Sequence, residues 1–215
     1  MDFLIALLGF ALLSVPVVFA GEYAGLPLTW TLLLGTTVPW LALGGWPLFT
    51  TWLQGNGPRI DLGLRLTWRD VGWGVIGGVA ALVLGGAIAA GLQAIFPELT
   101  AAATEVAEDL RAEGSRPALI VFAVCVGIGA PIVEELAFRG LGYNSLAKRG
   151  VGTVWTIVIT TVVFAAFHFE PMRLPILLAS GAILGVLRWR TRALGASIVA
   201  HAVNNLPGAA FLLVG

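Results

Sequence analysis

Seven long runs of apolar residues constrain this chain more than any other feature. They cover about residues 3–20, 28–53, 71–96, 118–147, 152–169, 172–190 and 193–214. A helix needs about 20 mostly apolar residues to cross a bilayer. The runs are continuous rather than alternating, which indicates helices and not barrel strands. The sequence therefore predicts an all-α fold, a polytopic transmembrane helix bundle with about seven spans.

The composition excludes the other broad classes. Of the 215 residues, 58% are hydrophobic and only 11% are charged. A soluble domain carries about 25% charged residues, and disordered chains are poor in apolar residues. Twelve basic residues balance twelve acidic ones, so no excess of positive charge indicates a nucleic-acid partner. Residues 1–215 show no repeat and no linker, which predicts a single transmembrane domain whose surroundings are the lipid bilayer.

The loops predict an orientation. Basic residues concentrate in alternate loops: Arg59, Arg65, Arg69, Lys148, Arg149, Arg188, Arg190 and Arg192. The other side has Arg111, Arg116 and Arg173. Because cytoplasmic loops carry the excess of Lys and Arg, we expect an integral protein of the plasma membrane with its N-terminus in the cytoplasm. Asp2 and the absence of a basic residue before the first run favour a retained helix over a cleaved signal peptide.

A few polar residues interrupt the fourth, fifth and seventh runs. They are Glu134, Glu135, Arg139, His168, His201, Asn204 and Asn205. Ionisable groups inside membrane spans are rare and usually functional. At the helical rise per residue, Glu134 lies about 21 Å, His168 about 24 Å and His201 about 14 Å from the basic loops. With tilted helices these residues are predicted to meet near the middle of the membrane.

This set of residue types suits hydrolysis. Glu134 could take a proton from a water that His168 helps to hold. His201 and Asn205 could donate hydrogen bonds to an oxyanion.

Glu135 and Arg139 lie four residues apart in the fourth run. They therefore share a helix face and would form a supporting ion pair.

The same residues admit other interpretations. A glutamate–arginine pair can be structural, and a lone histidine, an asparagine or Phe164 can simply pack between helices. A proton-coupled transporter would use the same residue types. A non-catalytic membrane scaffold is the third alternative.

Three spacings carry a family resemblance. Glu134, Glu135 and Arg139 form EExxxR, Phe164 and His168 form FxxxH, and His201 and Asn205 form HxxxN. Their order on three late helices resembles the CPBP intramembrane proteases, the CAAX protease and bacteriocin-processing family. The best-known members are the type II CAAX prenyl endopeptidases. The resemblance covers about residues 118–210, the motif-bearing core.

The resemblance implies an intramembrane endopeptidase. Glu134 and His168 would activate the water, His201 and Asn205 would stabilise the oxyanion, and the remaining motif residues would support them. The implied substrate is a membrane-associated peptide or protein, with prenylation not implied for every member.

The sequence allows two interpretations of how the site activates water, with zinc or without a metal. Glu134, His168 and His201 could form a zinc site. However, the chain has no HExxH motif, in which both histidines share one helix face. The resemblance favours a water activated without metal, so no cofactor is predicted and zinc is the alternative.

The glycine spacings and one polar stretch give the remaining predictions. Gly74 with Gly78, and Gly181 with Gly185, form GxxxG pairs that predict close packing within the bundle, with dimerisation as the alternative. The oligomeric state stays open. Residues 97–117 predict an amphipathic helix near the outer surface.

The predicted depths also indicate how a substrate would reach the site. Because His201 is nearest to the basic loops, we expect a polar funnel toward the cytoplasm, bordered by the loops between spans four and five and between six and seven. The alternative is a mouth on the other side, near Glu170 and Arg173.

Overall fold

The computed structural model describes residues 1–97, 102–113 and 115–214, and these residues contain helices but no strand. The helices are α1 (Asp2–Tyr23), α2 (Leu28–Gln54), α3 (Trp68–Ile95), α4 (Ala102–Glu113), α5 (Arg116–Lys148), α6 (Thr153–Phe167), α7 (Leu174–Thr191) and α8 (Leu194–Phe211). A single helical turn, Pro58–Asp61, lies between α2 and α3, and a 3-10 turn, Pro171–Arg173, leads into α7. The predicted all-α fold is confirmed.

Five helices are long and apolar enough to cross a membrane: α1, α2, α3, α5 and α7 with its 3-10 turn. Helix α6 is apolar but has only 15 residues. Helix α8 has 18 residues, and its histidine and asparagines lower its hydropathy. Together with these two shorter helices they give about seven passes, in line with the prediction.

The ends of the helices confirm that the passes alternate. Asp2, Gln54 and Lys148 line one polar cavity, so the N-terminus, the end of α2 and the end of α5 lie together with the basic loops. Arg116 and Leu212 line a second cavity beside α4. The start of α5 and the end of α8 therefore lie together at the other end of the bundle.

Helix α3 packs along α8 and α7 through small residues. A methyl group added at Gly74 or Gly78 would lie 2.5 or 2.6 Å from the Cβ atom of Val199 or Val203 on α8. One added at Gly185 of α7 would meet a side chain of α6 at 2.8 Å. Both GxxxG pairs are therefore used inside the bundle, as predicted.

Local signals in the sequence explain the connections. Helix α3 begins with a capping box, in which Thr67 and Asp70 each accept a hydrogen bond from the other's backbone N–H. Helix α4 buries Leu110 against α5 and α8, so the predicted amphipathic helix is confirmed over Ala102–Glu113. Residues 98–101 and 114 of that prediction lie outside the described residues.

Candidate functional site

The two adjacent glutamates lie on a short α-helical stretch of α5, Ala130–Glu135. Wider π-helical turns, Cys125–Gly129 and Leu136–Gly142, flank this stretch on both sides. Such turns inside α-helices occur frequently at functional sites. Every residue of Leu136–Gly142 is buried, so the glutamates stand at the edge of a tightly packed region.

Glu134 meets both histidines of the chain. Its Oε2 atom lies 3.8 Å from Nε2 of His168 and 3.8 Å from Nε2 of His201. The side chains of Glu134 and His168 are 18% and 23% exposed, whereas His201 is buried. The Oε2 atom is itself buried and has no hydrogen-bond partner. The predicted convergence of these three residues is confirmed.

Hydrogen bonds at Nδ1 orient both imidazoles. Nδ1 of His168 lies 2.8 Å from the carbonyl oxygen of Phe164, and Nδ1 of His201 lies 3.1 Å from Oε1 of Glu135. Carbonyl and carboxylate oxygens only accept, so each Nδ1 carries the hydrogen. In a neutral ring the lone pair of Nε2 then faces Glu134.

Glu135 and Arg139 form the predicted ion pair. Nη1 of Arg139 donates to Oε1 of Glu135 at 3.0 Å, and both side chains are 0% exposed. Nη2 donates to the carbonyl oxygen of Gly181 at 3.0 Å. Because Oε1 also accepts from His201, the pair connects α5 and α7 to the imidazole on α8.

Asn205 fills a gap in the hydrogen bonding of α5. In the π-helical turn the N–H of Ala130 donates to Cys125, five residues back. In that register the donor for the Val126 carbonyl would be residue 131, but Pro131 has no N–H. Nδ2 of Asn205 donates to Val126 at 3.1 Å instead. The other amide hydrogen stays available for a different acceptor.

Phe164 is more than a packing residue in this arrangement. Its ring centroid lies 4.7 Å from that of His168 and 5.6 Å from that of His201. The guanidinium carbon of Arg139 lies 4.4 Å from the same centroid. The only sequence signal for these contacts was the four-residue spacing between Phe164 and His168.

Arg188 corrects one expectation about the loops. The sequence assigns it to the connection between spans six and seven, but α7 continues to Thr191 and the side chain is buried. Nε donates to the carbonyl oxygen of Arg139 at 2.9 Å, and Nη2 donates to Oδ1 of Asn144 at 3.1 Å. Its spacing from Arg190 and Arg192 gives no signal of this burial.

The site is covered toward the basic loops. Leu136–Gly142 is buried there, and Leu62 and Leu194 are fully buried against it. In the other direction His168 follows the last residue of α6, and Phe169 is 84% exposed. The predicted opening toward the basic loops gains no support from this burial and stays a prediction, since depth along each helix does not reveal which end the neighbouring segments cover.

The site contains residue types that bind zinc, but the distances between their donor atoms do not match those of a zinc site. Two tetrahedral zinc ligands are separated by roughly 3.3–3.4 Å when their bonds are about 2.0–2.1 Å long. Glu134 Oε2 is farther, at 3.8 Å, from each histidine Nε2. Within the part of the chain that the structure describes, no three or more His, Cys, Asp or Glu residues are arranged to hold a metal ion.

A comparison with protein families finds a match for the second half of the chain. Residues 116–207 match the family model described as type II CAAX prenyl endopeptidase Rce1-like. The matched range begins at the first residue of α5 and contains all three motifs of the candidate site. No curated protein and no solved structure matches the chain.

Proposed function

Because residues 116–207 match the family model described as type II CAAX prenyl endopeptidase Rce1-like, we propose that the protein is an intramembrane endopeptidase that uses a water activated by Glu134. The observation that carries the proposal is the Oε2 atom of Glu134, which is buried, accepts no hydrogen bond and lies 3.8 Å from Nε2 of both His168 and His201. A buried carboxylate oxygen that accepts no hydrogen bond lowers the stability of the fold, unless a water or a ligand donates to it.

The spacing suits one water. Two acceptors 3.8 Å apart can each lie about 2.8 Å from the same water oxygen. Glu134 Oε2 and the lone pair of His168 Nε2 both accept, so the water donates both hydrogens and turns a lone pair toward the substrate carbonyl. Glu134 takes the proton as the water attacks and passes it to the leaving amine.

His201 and Asn205 stabilise the oxyanion that forms on the carbonyl. Asn205 uses its second amide hydrogen, because the first is bound to Val126. His201 donates from Nε2 only when the ring carries both hydrogens, and the carboxylate of Glu135 accepts the Nδ1 hydrogen in that form. Glu135 and Arg139 support the site by fixing this ring.

The substrate is a membrane-associated peptide or protein. The name of the matched family makes a prenylated peptide ending in a CAAX sequence the first probe. His168 follows the last residue of α6, and its side chain and that of Glu134 are partly exposed, so we propose that the scissile bond reaches the site beside the α6–α7 turn.

Replacing Glu134 by Gln tests the mechanism. The change keeps the shape and removes the base, and we expect cleavage of an internally quenched farnesylated CAAX peptide to slow by about 10²–10⁴-fold. Glu22→Gln is the matched control, because Glu22 is exposed near the end of α1 and belongs to none of the three motifs. Its rate should stay within about twofold of the wild type.

Two results would contradict the proposal. The first is an unchanged rate for Glu134→Gln in protein with wild-type unfolding behaviour. The second is Glu134-dependent proton flux in proteoliposomes without any peptide cleavage, which would favour a transporter.

The reaction is proposed to need no metal. Purified, active protein should contain zinc well below one equivalent and should keep its rate after dialysis against a chelator. Stoichiometric zinc that is lost together with activity, and that restores activity on readdition, would establish the zinc alternative with Glu134, His168 and His201 as ligands.

The N-terminus and the basic loops are proposed to face the cytoplasm across a plasma membrane. In a Cys125→Ser background, Asn56→Cys reports on the basic-loop end and Phe169→Cys on the α6–α7 turn, since both positions are exposed. An impermeant thiol reagent should label Phe169→Cys in intact cells and Asn56→Cys only after lysis. The reverse pattern would invert the orientation.

A further inference from the structure

One aromatic ring lies between the cation and the two imidazoles of the site. The Phe164 centroid is 4.7 Å from the ring of His168, 5.6 Å from that of His201 and 4.4 Å from the guanidinium carbon of Arg139. The Phe164 side chain is 1% exposed. Its backbone carbonyl also accepts from Nδ1 of His168.

The ring has little freedom to move. Phe138 packs against it edge-on, with centroids 5.3 Å apart and planes at 89°. On the α7 side, a methyl group added at Gly181 would lie 3.2 Å from Cδ1 of Phe164. Side chains in interiors packed this closely keep one rotamer because neighbours fill the alternatives.

The ring also acts electrostatically. A guanidinium over an aromatic face is attracted by the ring quadrupole, most strongly where water is excluded. Arg139 is fully buried, and its Nη1 holds the Glu135 oxygen that also accepts from Nδ1 of His201. The orientation of His201 therefore depends on where the ring of Phe164 holds Arg139.

We infer that Phe164 is a positioning residue of this site. Its backbone carbonyl fixes the orientation of the His168 ring. Its aromatic ring fixes that of His201, both directly and through Arg139, so that both Nε2 atoms point at Oε2 of Glu134. The inference rests on the proposed function, because it assigns Phe164 an effect on the catalytic step rather than on substrate binding. It also goes beyond packing, because the contact with Arg139 depends on the charge distribution of the ring.

Fluorination separates charge distribution from shape. Phenylalanines with one, two and three fluorines, introduced at position 164, weaken the ring quadrupole stepwise with little change in volume. We expect kcat on the farnesylated CAAX peptide to fall stepwise by up to about 10-fold, with KM unchanged within about twofold. The same series at Phe122 is the matched control, since that half-buried ring packs against Leu110 and Leu119 and makes no aromatic or cation–π contact among the described residues.

A second measurement does not need the substrate. The unfolding midpoint in detergent should fall across the series at position 164 and stay level across the series at Phe122. Equal responses of the two series in kcat and in midpoint would overturn the inference. Cleavage that survives Glu134→Gln would instead overturn the proposed function, so the two failures are distinguishable.

Discussion

Replacing Arg139 by Met breaks the buried ion pair from one side. The guanidinium donates to Glu135 and to the carbonyl of Gly181, each at 3.0 Å, and both charged side chains are 0% exposed. Methionine fills a similar volume without a charge. The variant leaves the Glu135 carboxylate buried, with His201 as its remaining partner.

The cost follows from that burial. Breaking a buried pair by removing one partner destabilises a protein by about 3–5 kcal/mol, whereas replacing both partners by neutral groups is often close to neutral. We expect Arg139→Met to lower the free energy of unfolding by about 3 kcal/mol or more. The double variant Glu135→Gln with Arg139→Met should recover most of this loss, to within about 1–2 kcal/mol of the wild type.

Reversible unfolding in mixed micelles measures the three free energies. The control is Arg173→Met, which breaks the Glu170–Arg173 pair in the α6–α7 turn. That pair is longer, at 3.3 Å, with side chains 37% and 20% exposed, so its loss should cost at most about 1 kcal/mol. Equal losses for Arg139→Met and Arg173→Met, or a double variant no more stable than the single one, would refute the reasoning.

Two further predictions concern packing and charge. Gly181→Ala places a methyl group 3.3 Å from Nη2 of Arg139 and should lower both kcat and the unfolding midpoint, while Gly86→Ala, with nothing within 4 Å, should leave both level. The hydrogen bond from Lys148 holds the pKa of Asp61 below its ordinary value of 3.8, so this carboxylate stabilises the fold above that pH and the contribution is lost as the pH falls through the folded-state pKa. Because Lys148 is largely exposed, Asp61→Asn should cost at most about 1 kcal/mol at pH 7, and the difference from wild type, measured by unfolding midpoints, should shrink toward pH 3.

The sequence predicted the features that depend on local chemistry. Lengths and ends of the helices follow from runs of apolar residues, because lipid requires each span to satisfy its own backbone. The pairing of Glu135 with Arg139 follows from their four-residue spacing. The two histidines were identifiable because an imidazole inside a span is costly unless it serves a purpose.

Only the tertiary structure shows the directions in which these side chains face. Each π-helical turn adds a residue to α5 and rotates everything after it by about 100°. Spacing paired Glu135 with Arg139, but it could not show that Glu134 faces both histidines. The same turns produced the acceptor that Asn205 satisfies at Val126.

Contacts between distant helices were also outside the reach of the sequence. In the sequence, Phe164 cannot be distinguished from an ordinary core residue, or Arg188 from an ordinary loop residue. Their contacts with Arg139 exist because α6 and α7 cross α5 at one level. The covered end of the site arises in the same way. Helical rise gives the depth of His168 and His201, but the burial of Leu136–Gly142 between neighbouring segments closes one end, and only assembly of the bundle produces that burial.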